Sequence, residues 1–426
     1  MKKIKIIGVL FLLFSGWTLS AQQTADPLNS LVQQAVKVNP KLNMLQQKLN
    51  AAKENIHVGT HLADPVLSLG LLNVPTNTFS LNQEAMTGKV VNLSQAIPYP
   101  GALKAKANVK AMDTLIIGEE IADLKNQIVQ QVSTLYFGLQ ETRREIVLAH
   151  ESYNLLKQIS LVAKRKFEVG TASLQNIISV EVELTRVNDK IESLKGEENA
   201  LQAQLNALLL RDDKTEVATA AIGSIPQLSL STTKLIEEAE KSRPYLQGIR
   251  LFEQKTSLQQ KEAKFAFYPN FKVGIQYSQR SFNRTTGISY PDFLGVVVGL
   301  NIPINYGGKK TAKINKYRYL QDFYKQQYQS SIQQLQQSFG KFSATLQTLK
   351  NRESLVSKTL LPQAEKAYQA AMADYQVNKI DFANVVKAEA DILKIKTELA
   401  KIRTNYFKTL AQLEFLSGTV LGEDKR

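Results

Sequence analysis

Phe271-Lys272-Val273-Gly274-Ile275-Gln276-Tyr277-Ser278 alternates apolar and polar residues without a slip. Val296, Val298, Leu300 and Ile302 answer it against Gly295, Gly299 and Asn301, with Val297 the one apolar residue among the second set. A two-residue period is that of a β-strand with one oily and one wet side. The wet side is built of small and polar residues, which suits a water-filled lumen better than a packed core. Each run is about 8 to 10 residues long, the length a tilted membrane-crossing strand needs. Strands at about 270–279 and 293–302 are therefore expected to form a hairpin in a membrane barrel.

A second hairpin lies upstream. Leu67, Leu69 and Leu71 alternate with Ser68 and Gly70, and Val91, Leu93 and Ile97 alternate with Asn92, Ser94 and Ala96, predicting strands at about 64–72 and 89–97. Proline and glycine end both hairpins, and Pro98, Pro100 and Gly101, then Pro303, Gly307 and Gly308, mark strand-to-helix turns. Four strands are too few for a closed barrel, whose smallest forms have about 8, and open edges in lipid would leave backbone groups unpaired. Several copies of the chain must share one barrel.

The rest reads as helix. Asp26 to Val58 carries Leu28, Leu31, Val32, Ala35 and Val36 on one face, and Asn39-Pro40 is a cap followed by a first-turn proline, so the helix restarts there. Ala102 to Phe167 holds no proline; such a helix is about 100 Å long. Gly170 fits a left-handed helix end. Beyond it Ile177, Leu184, Ile191 and Leu205 recur every seven residues, as do Val180, Val187, Leu194, Leu201 and Leu208, a coiled-coil seam interrupted only by Glu198.

The pattern then repeats. Arg243-Pro244 answers Asn39-Pro40, Pro269 answers Pro65, and Asn301-Ile302-Pro303 answers Ala96-Ile97-Pro98; Val385, Ile392, Leu399, Tyr406 and Leu413 restate one row of the seam, and Ala388, Ile395, Ile402, Thr409 and Leu416 the other. The expected organisation is a leader over 1–21, a first unit over 22–211, a connector over 212–231, a second unit over 232–418 and a tail over 419–426. The second long helix, from Lys309 to about Gln376, holds Pro362, where a kink or local loosening is expected.

Composition narrows the function classes. The 426 residues include no cysteine, three histidines and one tryptophan, with a formal charge of +15. Disulfides, thiolate metal sites, cysteine nucleophiles and lipid attachment at cysteine are excluded. Lys2, Lys3 and Lys5 before the apolar run Ile6 to Leu19, with Ser20 and Ala21 following, read as a secretory signal peptide whose removal takes three lysines and no acid, from +15 to +12. Export separates the chain from nucleic acid, and no convergent acid, base and nucleophile point to an enzyme. No cofactor or metal site is expected. His57 and His61 have helical pair spacing, but Gly59 lies between them and no acidic base accompanies them. Gly307-Gly308-Lys309-Lys310-Thr311 lacks the first glycine of a phosphate loop.

The duplicated order of helices and strands, the turns Phe167-Glu168-Val169-Gly170-Thr171 and Tyr375-Gln376-Val377-Asn378-Lys379, and Leu361-Pro362-Gln363-Ala364-Glu365 resemble the TolC family of outer-membrane efflux proteins, over essentially the whole mature chain. Glu84 to Gly88 and Leu93 to Gly101 resemble its heavy-metal efflux branch, typified by CusC and CzcC. The resemblance implies a mainly α fold with a transmembrane β-barrel part: a homotrimer with a roughly 12-stranded shared barrel continuous with a periplasmic α-barrel tunnel of long helical hairpins. It implies a passive conduit through the cell outer membrane, metal cations being one cargo, that meets outer-membrane lipid, a periplasmic adaptor (membrane fusion) protein and an inner-membrane pump of the RND type. It places the adaptor at the tips Val169, Gly170, Thr171, Val377, Asn378 and Lys379, and the periplasmic aperture, usually acidic, at Asn384 and Lys387. Lys387 either faces inward, where three lysines repel cations, or outward to solvent.

Three further readings follow from the residues. Lys104, Lys106 and Lys110, then Lys309, Lys310, Lys313, Lys316 and Arg318, crowd two helix starts, where they oppose the helix dipole; they either meet lipid phosphates or form a solvated face. Tyr290, Pro291 and Phe293 are either part of an aromatic girdle or packed loop residues. A periplasmic coiled-coil scaffold without a pore would account for the helices and the leader, but not for four amphipathic strands.

Overall fold

The computed structural model describes residues 28–421 apart from 227, 229, 230, 284 and 285. The expected leader over 1–21 and residues 422–426 of the tail lie outside them. Helix α1 (Leu28–Val38) and helix α2 (Pro40–Val58) are split at Asn39, whose extended backbone and side chain accept the first turn: its Oδ1 takes the amides of Lys41 at 2.9 Å and Leu42 at 3.3 Å. The strands are β1 (Val66–Leu72), β2 (Gly88–Ile97), β3 (Phe271–Arg280) and β4 (Phe293–Leu300). They form one antiparallel sheet in the order β1-β2-β3-β4. Two strands are shorter than their sequence patterns. β1 starts at Val66, after Pro65, and β4 stops at Leu300 because Asn301 turns to Asn270, donating its amide to the Asn270 carbonyl at 3.2 Å and accepting the Asn270 amide on its side-chain oxygen.

Helix α3 (Ala102–Glu168) runs 67 residues unbroken and lies against α2, α4 (Leu174–Leu209), α6 (Pro244–Lys264) and α9 (Phe382–Ser417). Helix α5 (Thr232–Ser242) leads into α6 as α1 leads into α2. In the second half the long helix is loosened just before Pro362, one of the two forms expected there. Helix α7 (Lys309–Leu355) passes into a π-helical turn, Val356–Leu360, and then into α8 (Leu361–Gln376), with helical backbone angles at both junctions. Proline 362 lacks an amide, and its ring would press on the carbonyl one turn back. Widening the turn relieves that clash, and the Leu361 amide reaches back five residues to the Val356 carbonyl.

Two apolar cores hold the helices. One joins α1, α3, α4, α7 and α9 around Leu31, Ile128, Leu139, Leu205, Phe339 and Tyr406; the other, at the far end, joins α3, α4, α8 and α9 around Leu156, Ile159, Val180, Ile191, Phe382 and Val385. Both copies of the seam run through them. The charged residue in the seam, Glu198, accepts the Arg143 Nε at 2.7 Å. Arg143 also donates to the Val217 carbonyl and, at 3.1 Å, to Thr219 Oγ1, and Gln140 donates to the Ala220 carbonyl at 2.9 Å. The segment between the halves is thereby strapped onto the first helical hairpin.

Candidate functional site

The sheet separates its chemistry by face. Cross-strand partners share a side, and the register pairs Leu69 with Val91, Val91 with Tyr277, Leu93 with Ile275, and Ile275 with Val296. That face carries most of the large apolar side chains of the sheet, among them Leu69 at 76 %, Leu294 at 73 % and Val298 at 69 % exposure. Its polar members, Lys89, Gln95 and Gln279, stand toward strand ends. The other face carries Ser68, Asn92, Ser94, Gln276, Ser278 and five glycines. Placing one such side chain out of water is worth about 1.5–3 kcal/mol, so a dozen left in water cost of order 20 kcal/mol, more than a domain's whole stability of about 5–15 kcal/mol. The oily face therefore belongs in lipid. Among the described residues the outer edges of β1 and β4 have no partner strand. They run in opposite directions, so β4 of one chain continues the alternation onto β1 of the next.

The turn at each hairpin's start rests on a left-handed glycine. Gly101, at φ +91°, caps α3, and Gly307 and Gly308, at φ +59° and +73°, form a 3-10 turn ahead of α7. Asn305 accepts the Lys310 amide at 2.9 Å, so this glycine pair serves a helix start. Phe293 falls on the polar face opposite Ser278, and the Arg280 guanidinium lies 3.9 Å from its ring and 5.0 Å from that of Tyr290. Tyr290 stands in the tip loop and Phe293 opens β4 on the polar face, so both rings sit beside Arg280 and Phe293 is not on the oily side. His57 and His61 stack at 6.3 Å, and His61 Nδ1 lies 2.7 Å from the His57 carbonyl.

At the far end the two hairpin turns lie side by side. Gly170, at φ +76°, ends α3, with its amide on the Phe167 carbonyl at 2.9 Å and that of Thr171 on the Lys166 carbonyl at 2.8 Å. Asn378 does the same for α8 at φ +61°, and Lys379 closes onto the Asp374 carbonyl at 2.8 Å. Lys166 joins them: its ammonium donates to the carbonyls of Tyr375 at 2.6 Å and Gln376 at 3.1 Å and to Asn378 Oδ1, over the Tyr375 ring at 4.5 Å. The first half thus supplies the C-terminal cap of a helix in the second. Val169 and Val377 point away from this contact, 72 % and 63 % exposed.

Asn384 and Lys387 are both exposed, on the side of α9 away from buried Phe382 and Val385. Glu389 lies on the buried side at 3 % exposure, accepting the Ser152 hydroxyl. Burial pushes its carboxyl above the usual range; Ser152 opposes this, the Glu183 carboxylate adds to it and the Lys396 ammonium counters it. Sequence reasoning missed Lys166, Arg143 and Glu389. Only Arg143 had a signal, the misplaced Glu198 of the seam.

Residues 235–419 match the family described as outer membrane efflux protein. The multidrug resistance outer membrane protein MdtP of Escherichia coli O157:H7 is 22% identical over 403 residues, spanning 87% of this chain and 82% of that one. The outer membrane efflux protein BepC of Brucella suis biovar 1 is 20% identical over 320 residues, 74% of this chain and 69% of that one. Among solved structures, VceC of Vibrio cholerae superposes with TM-score 0.75 at 16% identity, over 93% of this chain and 97% of that chain. CusC gives 0.74 at 17% identity, over 93% of each.

The family match over residues 235–419 and relatives spanning most of the chain support membership of the outer-membrane efflux proteins, the TolC family. The chain is an outer-membrane channel with a periplasmic helical tunnel, and it is not an enzyme. Channels of this family are trimeric and work with adaptor and pump components in tripartite systems. A pore-free scaffold is not favoured: it has no use for a sheet with an oily face and two open edges. The likeness to CusC is one of fold and VceC shares it, so it carries no argument for a metal cargo.

Proposed function

We propose that the efflux channel seats its adaptor on the paired turns Val169-Gly170-Thr171 and Val377-Asn378-Lys379, and that Asn384 and Lys387 line the aperture just inside them. One observation carries the reading: Lys166 ties the two turns into one platform whose outermost side chains are exposed valines, an arrangement that favours a partner surface. Units over 22–211 and 232–418, joined by 212–231, each supply one strand hairpin and one helical hairpin. Opening is then a change in the population of hairpin arrangements, with no bond made or broken. The pump, of the RND type in this reading, chooses the cargo. Three lysines at the aperture disfavour free metal cations there.

The chain lacks cysteine, so single cysteines report cleanly. Cysteine at Val169 or Val377 is expected to cross-link to the adaptor in cells, and cross-linking at Gln347 in mid-helix but not at the turns would overturn the seat. Lys387→Asp is expected to raise the cation preference of the trimer in planar bilayers. An unchanged preference removes Lys387 from the aperture.

A further inference from the structure

We propose that the junction of barrel and tunnel is an anionic-lipid collar, a ring of lysines seated on exposed aromatic rings that binds the phosphates of acidic phospholipids in the periplasmic leaflet. This rests on the outer-membrane reading and adds to it a lipid class and a surface.

Three observations along the barrel axis carry it. First, the oily face does not end with the strands: Ile302 and Ile304 continue it, and Tyr306 follows at 78 % exposure. Across the same junction Phe267 and Tyr268 are also exposed, with Tyr268 stacked 4.5 Å from Tyr99. Aromatic rings with one apolar and one wet end sit at the level of lipid headgroups.

Second, cations begin where the rings end. Residues 101–110 hold three and residues 309–318 hold five, with no acid in either segment. At 1.5 Å per residue each group spans no more than about 14 Å from its helix start, so it begins at the headgroup layer, about 5–8 Å deep, and runs on just beneath it. Several of these cations rest on rings: Lys310 over Phe267 at 5.5 Å and Arg318 over Tyr319 at 5.1 Å. Such seats hold the charge at the wet edge of the aromatic belt.

Third, no acid of the chain neutralises these charges among the described residues. Among the described residues none of the eight is in an ion pair, whereas Lys255, further along the tunnel, is paired with Asp113. At helix starts they oppose the dipole, and neither α3 nor α7 has an acid in its first turn. A row of uncompensated cations at headgroup depth has its complement in lipid phosphate, each worth about fivefold in affinity for an acidic surface.

The test uses the full trimer in nanodiscs of phosphatidylcholine alone or with one part in three of phosphatidylglycerol. Wild-type trimer is expected to unfold at a higher temperature in the acidic discs, and to lose that difference in high salt. The variant K309Q/K310Q/K313Q/K316Q is expected to lose most of the difference at low salt while remaining trimeric and conducting. A control variant, K325Q/K341Q, lower on α7, keeps it. The proposal is overturned if wild-type protein shows no preference for acidic discs, if the preference survives high salt, or if the four-glutamine variant retains it. A chain that fails to enter either disc as a trimer would break the outer-membrane reading instead.

Discussion

Helices α3 and α8 enter the same tip bundle in matching positions, yet they are built differently. Over its last turns α3 buries Leu148, Ala149, Ser152, Leu156, Ile159, Ser160 and Ala163 against its own chain, whereas α8 buries only Tyr375. α3 is one rod from barrel to tip, and α8 is set off from α7 by the π-helical turn. By its own chain's contacts, the first-half hairpin is thus the more firmly packed of the two and the second-half arm the less. The arm's holds include the turn above Pro362, the Lys166 cap at its foot, the Lys396–Glu365 ion pair at 3.6 Å and the packing of Tyr375 on Phe382, whose ring centroids are 5.2 Å apart.

The contrast can be erased or deepened by substitution. The largest effect is expected from giving α3 the proline it lacks. Asn154 precedes Pro362 by the helical repeat spacing and is exposed, so Asn154→Pro loses no core contact and isolates the backbone cost of about 3 kcal/mol. Thermal unfolding of the trimer should drop accordingly, and an unchanged midpoint would mean that α3 accommodates a π-turn as easily as α7. Next, Lys166→Met removes the ammonium that caps α8 while keeping its apolar stem. A loss of about 1–2 kcal/mol is expected for these part-exposed charge-assisted bonds, read as higher resting conductance in bilayers; conductance at the wild-type level would show the arm held elsewhere.

A smaller effect with a distinct signature belongs to Glu389. Its carboxyl is held above the ordinary value of 4.5 in the folded tip, so the folded state binds the proton more tightly than the unfolded one. Its contribution is present at low pH and is lost as pH rises from about 4.5 through the raised value. Glu389→Gln, which cannot ionise, should flatten that dependence and stabilise the tip at pH 8 by of order 1 kcal/mol, the size of one hydrogen-bond exchange. A melting curve across pH identical to wild type would refute this. The smallest effect is expected at the turns. Asn378→Gly relieves a left-handed backbone but loses a Lys166 contact, so a change within about 0.5 kcal/mol is expected. A larger loss would show that the side-chain contact, and not the backbone, decides this turn.

How much of this could be read in advance follows from the range of each interaction. The strands, the Asn39 cap and the seam were legible because each is written in a local period or a two-residue signal. Pro362 announced a disturbance but not its form, since a kink and a π-turn relieve the same clash and the choice lies with the packing around them. Lys166 looked like an ordinary basic residue in a last helical turn. Its partners stand more than two hundred residues away, and no local pattern pairs them. Glu198 looked like a flaw in the seam because Arg143 and the strap it holds belong to another part of the chain. Phe293 was ambiguous until the register set it beside Arg280, as a one-residue slip exchanges the two faces.

The open edges of β1 and β4 also bear on genetics. A chain whose β4 edge is damaged remains able to offer a sound β1 to its neighbour, so it enters rings it cannot close. With sound and damaged copies made in equal amounts, roughly one ring in eight is free of the faulty chain, and a single mutant allele would behave as a dominant poison of export.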